Sequence, residues 1–313
     1  MILIRFPGMK IKTYSLKTRR SKVNLAEFAN PEKLRNAEMI SFFEGLPQIL
    51  RAKDFLLLGK RVAESRKKKK PFILMMGAHP IKCGLSPLIN DLLEKNIITH
   101  IATNGASLVH DFEISYAGFT SEDVAKQLPE GRFGMAQETL SMVNRAITRG
   151  AKKGLGAGAS LGEFISKSSF KNRDLSIFAR CFELGIPATV HVAIGTDIVH
   201  QSPECRGEDW GKTSYKDFLT LVKTLKKIEG GVLVNFGSAV IMPEVFLKAL
   251  NLARNQGSKV RNFTAANFDQ TLHYRVKENI LVRPGGEYFN FIGQHEIMFP
   301  LFYKLLTDST DGR

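Results

Sequence analysis

Cysteine is scarce. The 313 residues hold three, Cys83, Cys181 and Cys205, far apart and odd in number. They form neither a disulfide framework nor a CxxC metal pair, which fits a reducing compartment and excludes a stapled secreted scaffold. Tryptophan occurs once, and no apolar run approaches the roughly 18 residues of a membrane span. Met1-Ile-Leu-Ile4 is too short for a signal-peptide core, so a cytoplasmic protein without a membrane partner is expected. The phosphate loop GxxxxGK[ST] is missing. Gly211-Lys-Thr213 lacks the upstream glycine, which argues against nucleoside triphosphate hydrolysis.

Basic residues are plentiful, and the formal charge is +15. Residues 1–70 carry a net +12 and residues 71–313 only +3, so the excess belongs to the N-terminal segment. Its densest runs are Lys17 to Lys22 and Arg66 to Lys70. Few aromatics and no finger or RNP-like motif accompany them, so a solvated basic arm is expected rather than specific nucleic-acid recognition. An acidic partner or a subunit contact is the alternative. Residues 1–70 therefore read as a basic, partly helical segment, with Leu34, Ala37, Ile40, Phe43, Leu46 and Leu50 at helical spacing and Pro47 as a break.

Residues 71–313 read as a single α/β domain. Phe72-Ile-Leu-Met-Met76 is a short continuous apolar run, the signature of a strand buried on two faces. Further strands are expected at 97–103, 188–194, 231–236, 260–264 and 286–292. Helical patterns stand between them at 85–95, 106–117, 121–128, 135–150, 174–184 and 243–257. This alternation predicts a Rossmann-like, mostly parallel sheet covered by helices on its two faces. Ligands of such sheets bind beyond the carboxyl ends of the strands. That rule selects Gly77-Ala78-His79, Thr103-Asn104-Gly105, Gly195-Thr196-Asp197, Gly237-Ser238 and Thr264-Ala265-Ala266.

Asp197, directly after a buried strand, is placed to hold a cationic substrate. His110 with Asp111 and Glu113 sets an imidazole and two carboxylates beside a crevice loop, although acids near a helix start also complement its dipole. His200 follows Asp197 by three residues. No HxxxH or HxH pair marks a zinc site, and no metal is expected, although His110, Asp111, His191 and His200 together could hold one. Gly154-Leu-Gly-Ala-Gly158 follows a helix-like stretch, so it reads as a turn and a tightly packed helix start before it reads as a ligand loop.

At these residues the sequence resembles the deoxyhypusine synthase family, whose members bind NAD and move an aminobutyl group from spermidine to a lysine of a translation factor. The resemblance spans about residues 70–305. It rests on the collinear order of Gly77-Ala-His-Pro-Ile-Lys-Cys-Gly-Leu85, Ile98 to Phe112, Ser176 to Pro187 with Gly195-Thr-Asp197, Val234-Asn-Phe-Gly-Ser238, Asn262-Phe-Thr-Ala-Ala266 and Phe299-Pro-Leu301. It implies NAD contacts at Ala78, His79, Thr103, Asn104, Gly105, Gly237, Ser238, Thr264 and Ala265, and a homo-oligomer, a tetramer in the family. It also puts His110 where the family has a polyamine-binding carboxylate. The family's lysine, which takes the aminobutyl group as an imine, has no counterpart in Asn279 to Glu287. Arg283 cannot serve, since guanidinium stays protonated. Trp210-Gly-Lys212 matches the lysine motif out of order.

The expectation is thus a deoxyhypusine synthase-like enzyme, not an authentic synthase, carrying out NAD-dependent amine oxidation or aminoalkyl transfer. Its catalytic residues would be His110 and Asp197, with substrate contacts from Asp111, Glu113 and His200. A non-catalytic ligand-binding or regulatory protein is the alternative, and a nucleic-acid-binding arm a third.

Overall fold

The computed structural model describes residues 11–19, 21–25, 28, 31–32, 42–43 and 45–310. Six strands form one parallel sheet: β2 (Phe72–Met76), β3 (His100–Asn104), β5 (Ala188–His191), β6 (Val232–Phe236), β7 (Thr264–Asp269) and β8 (Glu287–Ile292). Their order is β5-β3-β2-β6-β7-β8. Numbered along the sheet's own strands this is 3-2-1-4-5-6, the doubly wound order, with its reversal between β2 and β6. A separate antiparallel ribbon pairs β1 (Ser21–Asn24) with β4 (Phe119–Glu122).

Alternation along β2 and β6 splits the core. Phe72, Leu74, Met76, Val232, Val234 and Phe236 pack to one face, against α1 (Leu50–Lys67), α2 (Ser86–Glu94) and α9 (His295–Thr310). Ile73, Met75 and Leu233 pack to the other, with Leu221 and Leu225 of α7 (Gly207–Leu225) and Phe246 and Leu250 of α8 (Ile241–Asn255). Successive side chains of a strand point to opposite faces, so runs that are apolar throughout require cover on two sides. Polar links run through this core too. Asn235, Asn267 and Asn290 stand in register, and their amides bridge β6 to β7 at 2.8 Å and β7 to β8 at 2.9 Å.

Helix α1 belongs to this body rather than to an independent arm, since Phe55, Leu58 and Val62 are buried in the main core. It starts three residues after Pro47 and ends on Arg66 and Lys67, whose charges complement the carbonyl end of a helix. Leu34, Ala37 and Ile40 of the helical reading lie outside the described residues.

Two expectations need correction. The strand expected at 260–264 begins where that range ends, at Thr264, because Val260 and Phe263 are buried as loop residues beneath α8. The stretch 121–128 is helical only in its second half: Phe119–Glu122 pairs with β1, and Val124–Gln127 is a short helix continued by a 3-10 turn at Leu128–Glu130.

The glycine cluster at 154–158 opens α5 (Ala157–Ser166). A Cβ on Gly158 would lie 2.0 Å from the Ala188 carbonyl oxygen, and one on Gly156 would overlap the Asp217 carboxylate. That carboxylate accepts from Gly158 N at 3.0 Å and from Val190 N at 2.8 Å. The anion at this helix start is the chain's own, and the glycines let it approach.

Candidate active site

At the carboxyl end of β3 and β5, a cleft of about 250 Å³ is lined by Arg19, Lys82, His110, Glu113, Glu122 and Asp197, among others. The structure thus brings together His110 and Asp197, 87 residues apart in sequence. It also adds three residues that the sequence reading did not single out: Arg19, Lys82 and Glu122.

His110 lies on α3 (Gly105–Ala117), whose N-cap is Asn104, with Oδ1 accepting from Ser107 N at 3.2 Å. Its Nδ1 is 2.6 Å from Thr120 Oγ1, and that hydroxyl donates to Glu113 Oε2. Because the Thr120 proton is committed to the carboxylate, Thr120 must accept from His110 Nδ1–H. The tautomer is thereby fixed, leaving Nε2 with the lone pair. Burial, the dominant cause, pushes the imidazole down to about 4, so it is neutral at pH 7.

Glu113 is not free for substrate. Arg19 grips it through two nitrogens, at 2.9 and 2.6 Å, and Thr139 donates to it at 3.0 Å. Glu122 is tied to Tyr14 Oη at 3.0 Å and to Gly134 N at 2.9 Å, with Arg19 at 3.9 Å. Asp111 points away from the cleft: it accepts from Ser176 Oγ and from Ile177 N at 2.8 Å, holding the start of α6 (Ile177–Leu184). Neither Asp111 nor Glu113 is available as a substrate ligand, and the reason is the same: each carboxylate already has internal donors.

Asp197 is the N-cap of the turn Ile198–Gln201, in a capping box with His200, but no internal cation holds its carboxylate. Its carboxylate packs against Gly105, where a Cβ would come within 2.1 Å of Oδ2. Burial pushes it up to about 6, and no charged neighbour contributes to the shift. His200 supports the loop from behind, its Nδ1 accepting from Gly195 N at 3.1 Å and Asp197 N at 3.3 Å, with its ring edge on Trp210. That is a positioning role, not a substrate contact. Trp210 itself is buried and donates to Asn144 at 2.8 Å, while Lys212 is exposed, so the Trp210-Gly-Lys212 triplet joins a core residue to a surface one and does not place its lysine in the cleft.

The remaining residues divide by strand end. Ala78, His79, Gly237 and Ser238 meet at the β2/β6 reversal. Gly77 N donates to Phe236 O at 3.1 Å, and a Cβ there would lie 2.6 Å from Gly237 O. Gly237 has φ +64°, and Ser238 Oγ accepts from Met242 N at the start of α8. His295 lies against Gly237, only 2% exposed, with no side-chain hydrogen bond among the described residues and the Asp269 carboxylate 3.8 Å from its Nε2. Close backbone approach and a helix start are features that could hold a diphosphate group. Thr103 is internal, donating to Met76 O at 2.8 Å. Thr264 and Ala265 stand at the amino end of β7, opposite the crevice, because the strand runs on to Asp269. They are not placed to touch a ligand there.

No family model and no curated protein matches this sequence. Solved structures do match, at the level of fold. A protein of Methanococcus maripaludis S2, provisionally described as of the LOR/SDH type, superposes with TM-score 0.55 at 15% identity, over 83% of this chain and 69% of that one. AgrE bound to L-arginine gives TM-score 0.52 at 14% identity, over 90% of this chain and 34% of AgrE. AgrE with ornithine and NAD+ gives 0.50 at the same identity. The chain thus spans about a third of the length of AgrE. These likenesses establish a shared α/β architecture. Among the described residues, no helix is long and apolar enough to cross a membrane.

Proposed function

We propose that the protein is an NAD-dependent enzyme acting on a small amine that also carries a carboxylate, such as an amino acid. The observation that carries this reading is the cleft wall: a neutral imidazole with a fixed tautomer and a carboxylate with no internal cation share it with Lys82, which has no ion-pair partner among the described residues. Asp197 would take the substrate ammonium and Lys82 its carboxylate, while Lys82 would oppose a simple diamine. NAD, when bound, supplies the hydride acceptor. Ala78, Gly237, Ser238 and His295 would hold it at the β2/β6 reversal, where the doubly wound order favours a dinucleotide. His110 Nε2 would accept a proton from the substrate nitrogen, and the Thr120–Glu113 chain would hold the ring while it does so. Support from outside the chain is the fold shared with AgrE, solved with ornithine and NAD+.

Calorimetry with NAD, followed by NADH formation across amino acids and polyamines, tests the reading. The expected result is NAD binding and turnover confined to amino-acid substrates; absence of binding at millimolar NAD overturns it. Ligand binding without turnover would instead favour a regulatory protein that keeps the fold.

Asp197→Asn gives a sharper test. Removing the charge should weaken substrate binding by about 1.5–3 kcal/mol. Stability should move the other way. A folded-state pKa raised to about 6 means the carboxylate costs stability as pH rises from about 4 through 6. The Asn variant should therefore match wild type at pH 4 and exceed it at pH 7, by about 1–2 kcal/mol after discounting for partial exposure. Equal substrate affinity in the two proteins would remove Asp197 from the site.

A further inference from the structure

His79 opens a short helical turn, His79–Lys82, and Cys83 follows it. A His-x3-Cys spacing on a turn of helix places the two side chains on one face. Glu296, from the first turn of α9, comes to the same place: the ligating atoms of His79, Cys83 and Glu296 all lie within 4.8 Å of one another. None of the three is consumed elsewhere. Among the described residues Glu296 has no salt bridge, and His79 meets only the edge of His295, with ring centroids 5.1 Å apart. The one polar contact within the group is a long one, Cys83 Sγ to Glu296 Oε2 at 3.8 Å.

An imidazole, a thiolate and a carboxylate are a donor set for a borderline transition ion, and the mixed softness points to zinc rather than to magnesium or calcium. Typical bond lengths put the donors of a tetrahedral zinc site about 3.5 Å apart, so side-chain adjustment of roughly 1 Å would close this one. We propose that His79, Cys83 and Glu296 form a zinc-binding site at the mouth of the β2/β6 crevice. Three protein ligands leave a fourth position open, the arrangement of zinc sites that bind water or substrate rather than merely brace a fold. Binding would release the Cys83 proton to solvent as the thiolate–metal bond forms. The sequence carried the signal in Gly77-Ala-His-Pro-Ile-Lys-Cys83, where a search for His–His and Cys–Cys spacings passes over a His–Cys pair.

The site does not depend on the NAD reading, and its test is separate. Cobalt(II), added to the full chain freed of metal by a chelator, should bind one ion per chain and give a thiolate-to-cobalt charge-transfer absorption in the near ultraviolet. Zinc should displace it. Cys83→Ser should abolish that absorption and weaken binding at least tenfold, whereas Cys205→Ser should leave it unchanged. Glu296→Gln, at an exposed position, should weaken binding about tenfold while keeping the absorption, which guards against a Cys83→Ser chain that fails to fold. No charge-transfer absorption with wild type, or one that persists in folded Cys83→Ser, overturns the site. Calorimetric NAD affinity, measured in parallel, separates loss of this site from failure of the cofactor proposal.

Discussion

Replacing Arg19 with alanine should cost about 3–5 kcal/mol of folding stability, the loss seen when one partner of a buried ion pair is removed. The guanidinium and the Glu113 carboxylate are 2% and 1% exposed, at 2.6 Å, and Glu122 lies within 3.9 Å of the same group. Without Arg19, Glu113 would stay buried with only the Thr120 and Thr139 hydroxyls as donors. Urea unfolding at pH 7 measures this. Arg19→Met combined with Glu113→Gln should recover much of the loss, since a buried pair is often replaceable when its two charges leave together. A single substitution costing under about 1 kcal/mol would mean that solvent reaches the pair, as in surface salt bridges. Loss of Arg19 should also disturb His110, because the Glu113–Thr120 chain sets its tautomer.

Asp217→Ala is expected to be nearly as damaging, at about 2–4 kcal/mol, because it strands the amides of Gly158 and Val190 in the interior. Asp217→Asn keeps an acceptor and should be mild. The two should separate further with pH. Burial pushes the Asp217 carboxyl up to about 7, so the aspartate costs stability as pH rises from about 4 through 7, and the asparagine does not. Denaturant midpoints at pH 5 and pH 8 should show the Asn variant gaining on wild type at the higher pH. An unchanged difference between the two would place Asp217 in contact with water.

Asp217, set beside Asp197, shows where the sequence was legible and where it was not. The parallel sheet could be read because continuous apolar runs and intervening helical periods state it locally, and the ends of β2, β6 and β8 fell within a residue of expectation. Strand β7 was displaced because Thr264-Ala-Ala-Asn-Phe-Asp269 is small and polar, and only its neighbours on each side make it a central strand. Asp197 and Asp217 are both acids near small residues. What distinguishes a carboxylate with a vacant charge from one saturated by backbone donors is the approach of segments 27 and 59 residues away, which no local pattern encodes. Arg19 was beyond reach for the same reason. As a member of a basic run it looked solvated, and its partner lies 94 residues on.

That separation has a consequence for synthesis. At roughly 5–20 residues per second, Glu113 follows Arg19 out of the ribosome by about 5–20 seconds, and Glu122 follows soon after. The cation is therefore waiting, hydrated and cheap to keep exposed, before either anion needs cover. Helix α3 and strand β4 can dock around a charge already present, and the nascent chain never has to bury an acid ahead of its counterion. Had the order been reversed, the α3 segment would have had to stay unpacked, with its apolar residues Leu108, Val109 and Phe112 open to other chains, until a distant arginine was made.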